Sequence, residues 1–358
     1  MTRIRPSTLD DLEAIKAVSV RNGMPGFDTE ERRTWWQSHP FRAEFEDVPL
    51  GWVLESDSGG IVGTLTNVHM MYELDGVRFR CCIASSWAVD AAHRKFSLLL
   101  MRAFFNQKHV DVCLNDSASR QTSQILTAIK ISRIPSPDFD LSYLWITRRR
   151  AFAAAVLRHK KIPAAGWLSY PVSLALWAND LRTFGRRRHL SNLKQLDGFD
   201  DAFGVFSEKL RKEPGRLRAI RSVDVLNWYF GSGLRNRDVT ILGAFRERAL
   251  AGYVVLLTNV RQHLGLRQFV IADLQALDDS PEVILDLLTA AVDATREQKL
   301  DALEWQGWNS AKREIALSTH PKSYRYPDWP LFYKAINRDL ATELASSGVW
   351  DLSPFDVF

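Results

Sequence analysis

Val89-Asp90-Ala91-Ala92-His93-Arg94-Lys95-Phe96-Ser97-Leu98-Leu99-Leu100 is the stretch on which the reading of the fold turns. Up to Val89 the chain runs in extended segments punctuated by turn chemistry. Beyond it the period changes, and Phe96 to Phe105 is apolar nearly all round, as expected of a helix buried against a sheet. His93, Arg94 and Lys95 stand together where one regime gives way to the other.

Toward the N-terminus, Gly51 to Glu55, the turn Asp57-Ser58-Gly59-Gly60, Ile61 to Met71, the turn Asp75-Gly76 and Val77 to Val89 read as an antiparallel meander. A short strand, Arg3 to Arg5, precedes it, with a helix capped by Ser7 or Thr8 in capping-box spacing with Asp10 and Asp11. Leu9, Leu12, Ile15 and Val18 give that helix one apolar face. Toward the C-terminus come a strand Val110 to Leu114, a helix from Ser119 to Lys130 and a strand Tyr143 to Ile146 expected to complete the unit.

The second half repeats this order. Val239 to Phe245 and Leu250 to Leu257 form a hairpin, Arg267 to Leu277 is a third strand, and a helix starts at Pro281, where a first turn tolerates proline. A strand Leu300 to Trp305, a helix Ser310 to Leu317 and a terminal strand Trp329 to Ala335 follow. The expected fold is α/β with mixed, mostly antiparallel sheets flanked by helices, in two units, 1–147 and 191–358, joined by a basic helical connector, 148–190.

Composition agrees with two domains. The chain has 358 residues, 46% hydrophobic and 25% charged, which excludes disordered, collagen-like and disulfide-scaffold classes. Its three cysteines, Cys81, Cys82 and Cys113, lack metal-ligand spacing and suggest a reducing compartment. The N-terminus carries Arg3, Arg5, Asp10 and Asp11 and no apolar core, so it reads as neither signal nor transit peptide, and a cytoplasmic location is expected.

The net charge of +5 is unevenly spread: residues 148–188 carry +9 and the remainder −4. Within that strip Ile162 to Asn179 has no charge, lies near the lower length limit for a membrane span and is broken by Pro163, Gly166 and Pro171. A buried interdomain connector with a solvated basic flank is expected. The alternative is peripheral membrane contact through Trp167, Tyr170 and Trp177 beside the arginines.

Strand, helix, antiparallel meander, helix, strand, helix, strand is an order that resembles the GNAT superfamily of acyl-CoA transferases. Ile4-Arg5-Pro6 to Asp10-Asp11-Leu12 looks like the usual GNAT start, and Val89 to Leu100 resembles the acyl-CoA phosphate-binding segment, a strand ending in Val followed by Pro-x-x-Arg-Gly-x-Gly-x-Gly. Such a segment binds a pyrophosphate with N–H groups at a helix N-terminus. The resemblance implies acyl-CoA or acetyl-CoA as co-substrate, no metal, and a donor site at Ala88, Val89, His93, Arg94, Lys95, Phe96 and Ser97. Arg94 matches the family's arginine, whereas Lys95, Ser97 and Leu99 replace its glycines and Ala91 its proline. The family's tyrosine general acid has Leu126 in its place, or Ala316 in the second half. The tandem order resembles double-GNAT proteins of bacterial surface-polysaccharide gene clusters and, more distantly, Fem-type transferases that use aminoacyl-tRNA.

Direct aminolysis of a thioester needs a group to take the amine's proton and donors for the oxyanion. Carboxylates near splayed strand ends are the candidates: Asp111 and Asp116 in the first half, Asp273 and Glu304 in the second. Asp273 and Glu304 lie within strands, where burial would raise a carboxyl pKa, or where a local Arg or Trp N–H would satisfy them. Tyr333 is a candidate acid or a structural strand tyrosine. Trp35-Trp36 lines an acceptor groove or anchors a core, and Tyr324 to Trp329 stacks on a ligand or forms a rigid loop.

Three functions compete on this sequence: an N-acyltransferase taking a small-molecule amine, such as an amino sugar of a polysaccharide precursor; a transferase whose donor is an acidic acyl-carrier protein or tRNA docked on Arg148, Arg149, Arg150, Lys160, Lys161, Arg186, Arg187 and Arg188; and a non-catalytic GNAT-shaped binding module.

Overall fold

The structure, a computed structural model, describes residues 2–116, 118–136, 138–163, 165–180, 192–262, 264–325 and 330–357. The chain opens with β1 (Arg3–Pro6) and, after a 3-10 turn, α1 (Leu12–Arg21). Thr8 and Asp11 form the expected capping box, and the Asp11 carboxylate also accepts two N–H groups of Arg5 at 2.8 Å, tying strand to helix. α2 (Thr29–Gln37) is capped by Asp28, which accepts the Glu31 N–H at 2.8 Å.

The meander is β2 (Gly51–Glu55), β3 (Ile61–Leu74) and β4 (Val77–Val89), the last two joined at Asp75-Gly76, both with positive φ. α3 (Ser97–Phe105) buries Leu100, Met101, Phe104 and Phe105. β5 (Val112–Asn115), α4 (Arg120–Ala128), β6 (Ser132–Arg133) and β7 (Leu141–Ile146) follow.

A hairpin of α5 (Arg149–His159) and α6 (Ala165–Asp180) separates the halves. The charge-free stretch is therefore helical from Ala165 onward, with Pro171 inside the helix. It is also not the buried connector expected: Trp167 is 82% exposed and Leu174 65%, with Leu168, Tyr170 and Val172 exposed beside them. Of the described α6 side chains only Ser169 is buried, so charge neutrality here does not report burial.

The second half runs β8 (Asn192–Leu196), α7 (Asp201–Leu210), β9 (Arg218–Ala219), α8 (Val223–Arg235), β10 (Val239–Arg246), β11 (Ala249–Arg261), β12 (Leu266–Ala276), α9 (Pro281–Glu297), β13 (Ala302–Trp305), α10 (Ser310–Leu317), β14 (Lys322–Arg325), β15 (Phe332–Ala335) and α11 (Arg338–Glu343). The sequence reading had no counterpart for α7 and α8.

Two sheets result. One is ordered β1-β2-β3-β4-β5-β15-β6, with β9 attached to β3, and the other β8-β10-β11-β12-β13-β7-β14. The order is the same in both, strand for strand, except that the penultimate strands have changed places. β7, expected to complete the first unit, lies antiparallel to β13, with Tyr143 opposite Trp305. β15, expected to end the second, lies antiparallel to β5, with Phe332 opposite Asn115. Alternating apolar residues specify that Leu141 to Ile146 is a strand with Tyr143 and Trp145 on a core face; they do not specify which of two similar sheet edges receives it.

The largest apolar cluster lies between the sheets and draws on both halves: Met70 and Tyr72 from β3, Tyr253 and Val255 from β11, and Phe230 of α8. The outer faces are covered by α3 on the first sheet and α9 on the second. Charges buried at the same junction are paired. Arg211 grips Glu73 through Nε at 2.9 Å and Nη2 at 2.7 Å, and Arg218 donates to Asp351 at 2.5 Å.

Candidate active site

Each sheet holds one parallel pair that starts together and then parts. In the first, β4 and β5 pair from Cys81↔Val112 to Ile83↔Leu114; β4 then continues to Val89 alone. Its pairing with β3 slips where Thr66 faces Ser85 and Thr64 faces Ala88, so Ser86 and Trp87 form a bulge with Ser86 in the left-handed region, φ 50°. Among the described residues the β4–β5 register ends at Ile83↔Leu114, and no strand pairing continues on that side along Ala84–Val89. The fork is open there.

The second fork is shut. β12 and β13 part after Val270↔Glu304. Across the gap Lys312 of α10 donates to Gln275 at 3.0 Å and to Asp351 at 3.1 Å, and Asn309 donates to Asp351 at 2.7 Å. Burial alone would lift the Asp351 carboxyl, but Lys312 and Arg218 hold it well below the usual range.

The turns beyond the forks differ in sign. After β4 comes a 3-10 turn, Ala91–Phe96, in which Arg94 and Lys95 are exposed. Asp90 at its start is neutralised by Arg21, bonded through Nε at 2.8 Å and Nη2 at 2.6 Å, and by Asn22 at 2.9 Å. After β12 the corresponding residues are Asp278, Asp279 and Glu282, with Arg216 on Asp279 at 2.5 Å and Arg246 on Glu282 at 2.6 Å; Pro281 removes an N–H, so this turn offers an anion fewer donors and no pair of exposed cations like Arg94 and Lys95. Even in the first half, the His93 N–H is taken by the Asp90 carbonyl at 2.8 Å and the Ser97 N–H by that of Arg94. An anion would meet side-chain cations rather than a nest of amides. The Trp87 indole N–H and His93 Nδ1, on either side of Val89, are buried without a hydrogen-bond partner.

On the α2 side of the first fork lies a cleft of about 590 Å3, lined by Phe27, Arg32 and Trp35, by Val68 and Ser85 of the sheet, and by Tyr229. Tyr229 belongs to α8, so the second half supplies one wall. Trp228 docks that helix on α2, its ring stacked on Trp35 at 4.3 Å and its indole donating to the Trp35 carbonyl at 2.7 Å. Burial pushes the Tyr229 hydroxyl well above the ordinary phenol range, and the charges of Asp116 and Asp356 push the same way. It therefore stays protonated at neutral pH.

The sequence candidates scatter. Asp116 follows β5 and lies within electrostatic reach of Tyr229. Asp273 is fully buried at the second bulge and accepts from Arg221 at 2.9 Å, Tyr253 at 2.7 Å, Ser353 at 2.9 Å and Gln275 at 2.8 Å. Burial was expected to raise its pKa; burial does act that way, but Arg221 overrides it and the net shift is downward. Glu304 accepts from Ser142 at 2.8 Å and Arg261 at 2.5 Å, and from Gln268 and Tyr324. Tyr333 packs edge-on against Trp350 at 5.0 Å. Of the seven donor-site positions, Ala88 and Val89 are strand residues, His93 to Phe96 form the turn and Ser97 begins α3.

Trp35 lines the cleft while Trp36 is buried, 8% exposed, beside a separate pocket with His39 and His69. Residues 326–329 of the aromatic loop and Arg186, Arg187 and Arg188 lie outside the described residues. In the hairpin, Arg148 is bonded to the Lys299 carbonyl at 3.2 Å and Arg150 lies over the Tyr170 ring at 4.0 Å; with Arg149 they line a cavity of about 750 Å3. Among the described residues no group of three or more His, Cys, Asp or Glu is placed to hold a metal ion, and no helix is long and apolar enough to cross a membrane.

No family model and no curated protein matches the chain. Solved structures do. A GCN5-related N-acetyltransferase from Anabaena variabilis aligns over 94% of this chain and 73% of its own, at 10% identity and TM-score 0.56. One from Kribbella flavida aligns over 94% and 71%, at 13% identity and TM-score 0.56. A probable N-acyltransferase from Enterococcus faecalis aligns over 94% and 72%, at 10% identity and TM-score 0.55. The fold is thus the mixed α/β fold of the GNAT proteins.

Proposed function

We propose that the protein is an N-acyltransferase that moves an acyl group from acyl-CoA to a small amine, with 1–147 and 191–358 as diverged copies of one unit of which only the first keeps an open donor fork. The observation that carries this reading is the contrast between the forks: β4 and β5 part beside a turn with the exposed cations Arg94 and Lys95, whereas β12 and β13 are bridged by Lys312 and followed by acids whose charge Arg216 and Arg246 take up.

In this reading Arg94 and Lys95 attract the phosphates, and the unpartnered Trp87 N–H faces the donor along β4. The amine sits in the 590 Å3 cleft, where Asp116 takes its proton. The nitrogen bonds to the thioester carbonyl carbon, the C–S bond breaks, and Tyr229 protonates the departing sulfur, so a proton equivalent passes from amine to thiol through Asp116 and Tyr229. Asp273, Glu304 and Tyr333 are structural here, and the acid role that Leu126 cannot fill passes to a residue of the other half. Thermal stabilisation by acetyl-CoA, weakening as salt rises and lost in Arg94→Ala, is the expected result; no shift at millimolar CoA would sink the reading.

The bare α6 favours a second reading, in which an acidic acyl-carrier protein delivers the donor to Arg148, Arg149, Arg150, Lys160 and Lys161. Its test is co-elution of carrier protein with the chain, lost as salt rises; co-elution of tRNA instead would replace carrier protein by nucleic acid.

A further inference from the structure

Arg32 is half-buried, its guanidinium 5.0 Å from the Phe27 ring centroid and 5.5 Å from that of Trp35. Other shielded arginines face carboxylates: Arg5 with Asp11, Arg211 with Glu73, Arg216 with Asp279, Arg221 with Asp273. Among the described residues Arg32 has no ion pair and no side-chain hydrogen bond, because the acids around it are engaged elsewhere. Asp28 caps α2, Glu31 accepts from Ser232 of α8, and Glu30 pairs with Arg33 at 3.5 Å. Burial draws the Arg32 guanidinium below its ordinary pKa, outweighing the opposing pull of the Glu31 charge, so no contacting carboxylate offsets its desolvation. Such an arrangement is unfavourable unless something supplies the anion.

We propose that Arg32 is an acceptor-recognition residue and that the cleft selects an amine bearing a carboxylate, an amino-acid-like acceptor rather than a neutral amino sugar. A planar guanidinium offers two parallel N–H donors to a carboxylate, a match that a hydroxyl does not make. The ligand's body would lie against Phe27, Trp35, Val68 and Tyr229, and its ammonium near Asp28 and Glu31, which also line the cleft. The inference rests on the acyltransferase reading only for the amine; the anion site stands on Arg32 itself.

Calorimetric titration of the full chain with L-phenylalanine, L-phenylalaninamide and glucosamine tests it. The carboxylate is expected to bind roughly tenfold or more tighter than the amide, Arg32→Met to erase that preference and Arg32→Lys to keep part of it, since both retain an aliphatic stem between the rings. Equal binding of acid and amide, a preference surviving in Arg32→Met, or no binding of any common amino acid at millimolar concentration would overturn it. Thiol release from acetyl-CoA is read separately: carboxylate binding without CoA binding or turnover would remove the acyltransferase reading and leave the anion site standing.

Discussion

Arg221 donates to two carboxylates at once, to Asp273 through Nε at 2.9 Å and to Asp356 through Nη2 at 2.6 Å, and all three side chains are buried. Replacing it with Met leaves two acids sharing a dry site, and a loss of about 3–5 kcal/mol is expected in denaturant unfolding. The two acids respond oppositely to pH. Asp273 is held down by Arg221 against its burial, so its stabilisation is present above the unfolded carboxylate pKa and fades as pH falls through the folded value. Asp356 is pushed up by burial and by Asp273, so its stabilisation is present at low pH and fades as pH rises through its folded value. Asp351 behaves as Asp273 does, so the melting temperature is expected to fall steeply below about pH 4, the ordinary carboxylate range. Tyr229→Phe should lower kcat roughly a hundredfold in thiol-release assays while the melting temperature moves little. Of the residues placed in the proposed site, Asp116 could be named from sequence because a strand end is visible there. Tyr229 was not, because its helix is contributed across the molecule and nothing local marks its hydroxyl. Arg32 and Phe27 were equally hidden: an Arg in an acidic helix reads as a solvated charge until the fold shows which acids are already engaged.

Elements were more legible than sites. The meander, the buried α3 and the hairpin of β10 and β11 follow from alternation, turn chemistry and apolar runs acting over a few residues. Three features depart from their local rule. Pro171 sits inside α6 although proline removes a helix hydrogen bond, and the described side chains of α6 from 166 to 174 are mostly exposed although a helix apolar on nearly every face is ordinarily buried. The bulge at Ser86 is a third case, since no glycine announces it. Its φ of 50° is open to Gly and hostile to a β-branched side chain. Ser86→Gly is expected to leave stability nearly unchanged and Ser86→Val to cost about 1–3 kcal/mol, read as melting-temperature shifts.

At the scale of the whole molecule the exchanged strands decide what counts as a unit. β5 borrows its neighbour from residues 332–335 and β13 borrows its own from residues 141–146, so neither sheet is complete within its half. A fragment of residues 1–147 leaves the edge of β5 unpaired and is expected to elute as aggregate. Co-expression with 148–358 is expected to restore a soluble, co-eluting pair, and a monomeric, cooperatively melting 1–147 fragment would contradict this. Element order predicted the strands but not the exchange, because pairing choice lies in the contest between two edges and not in either strand.

The exchange also has a consequence for synthesis. A chain leaving the ribosome presents β1 to β5 before the strand that seals β5, which emerges only after β6 to β14 have been made. The first sheet must therefore wait half-built, its open edge exposed to water or to a chaperone. Residues 332–356, which add β15, Asp351 and Asp356, are the clasp that closes both halves at once. A stop codon falling there would remove far more structure than its position suggests.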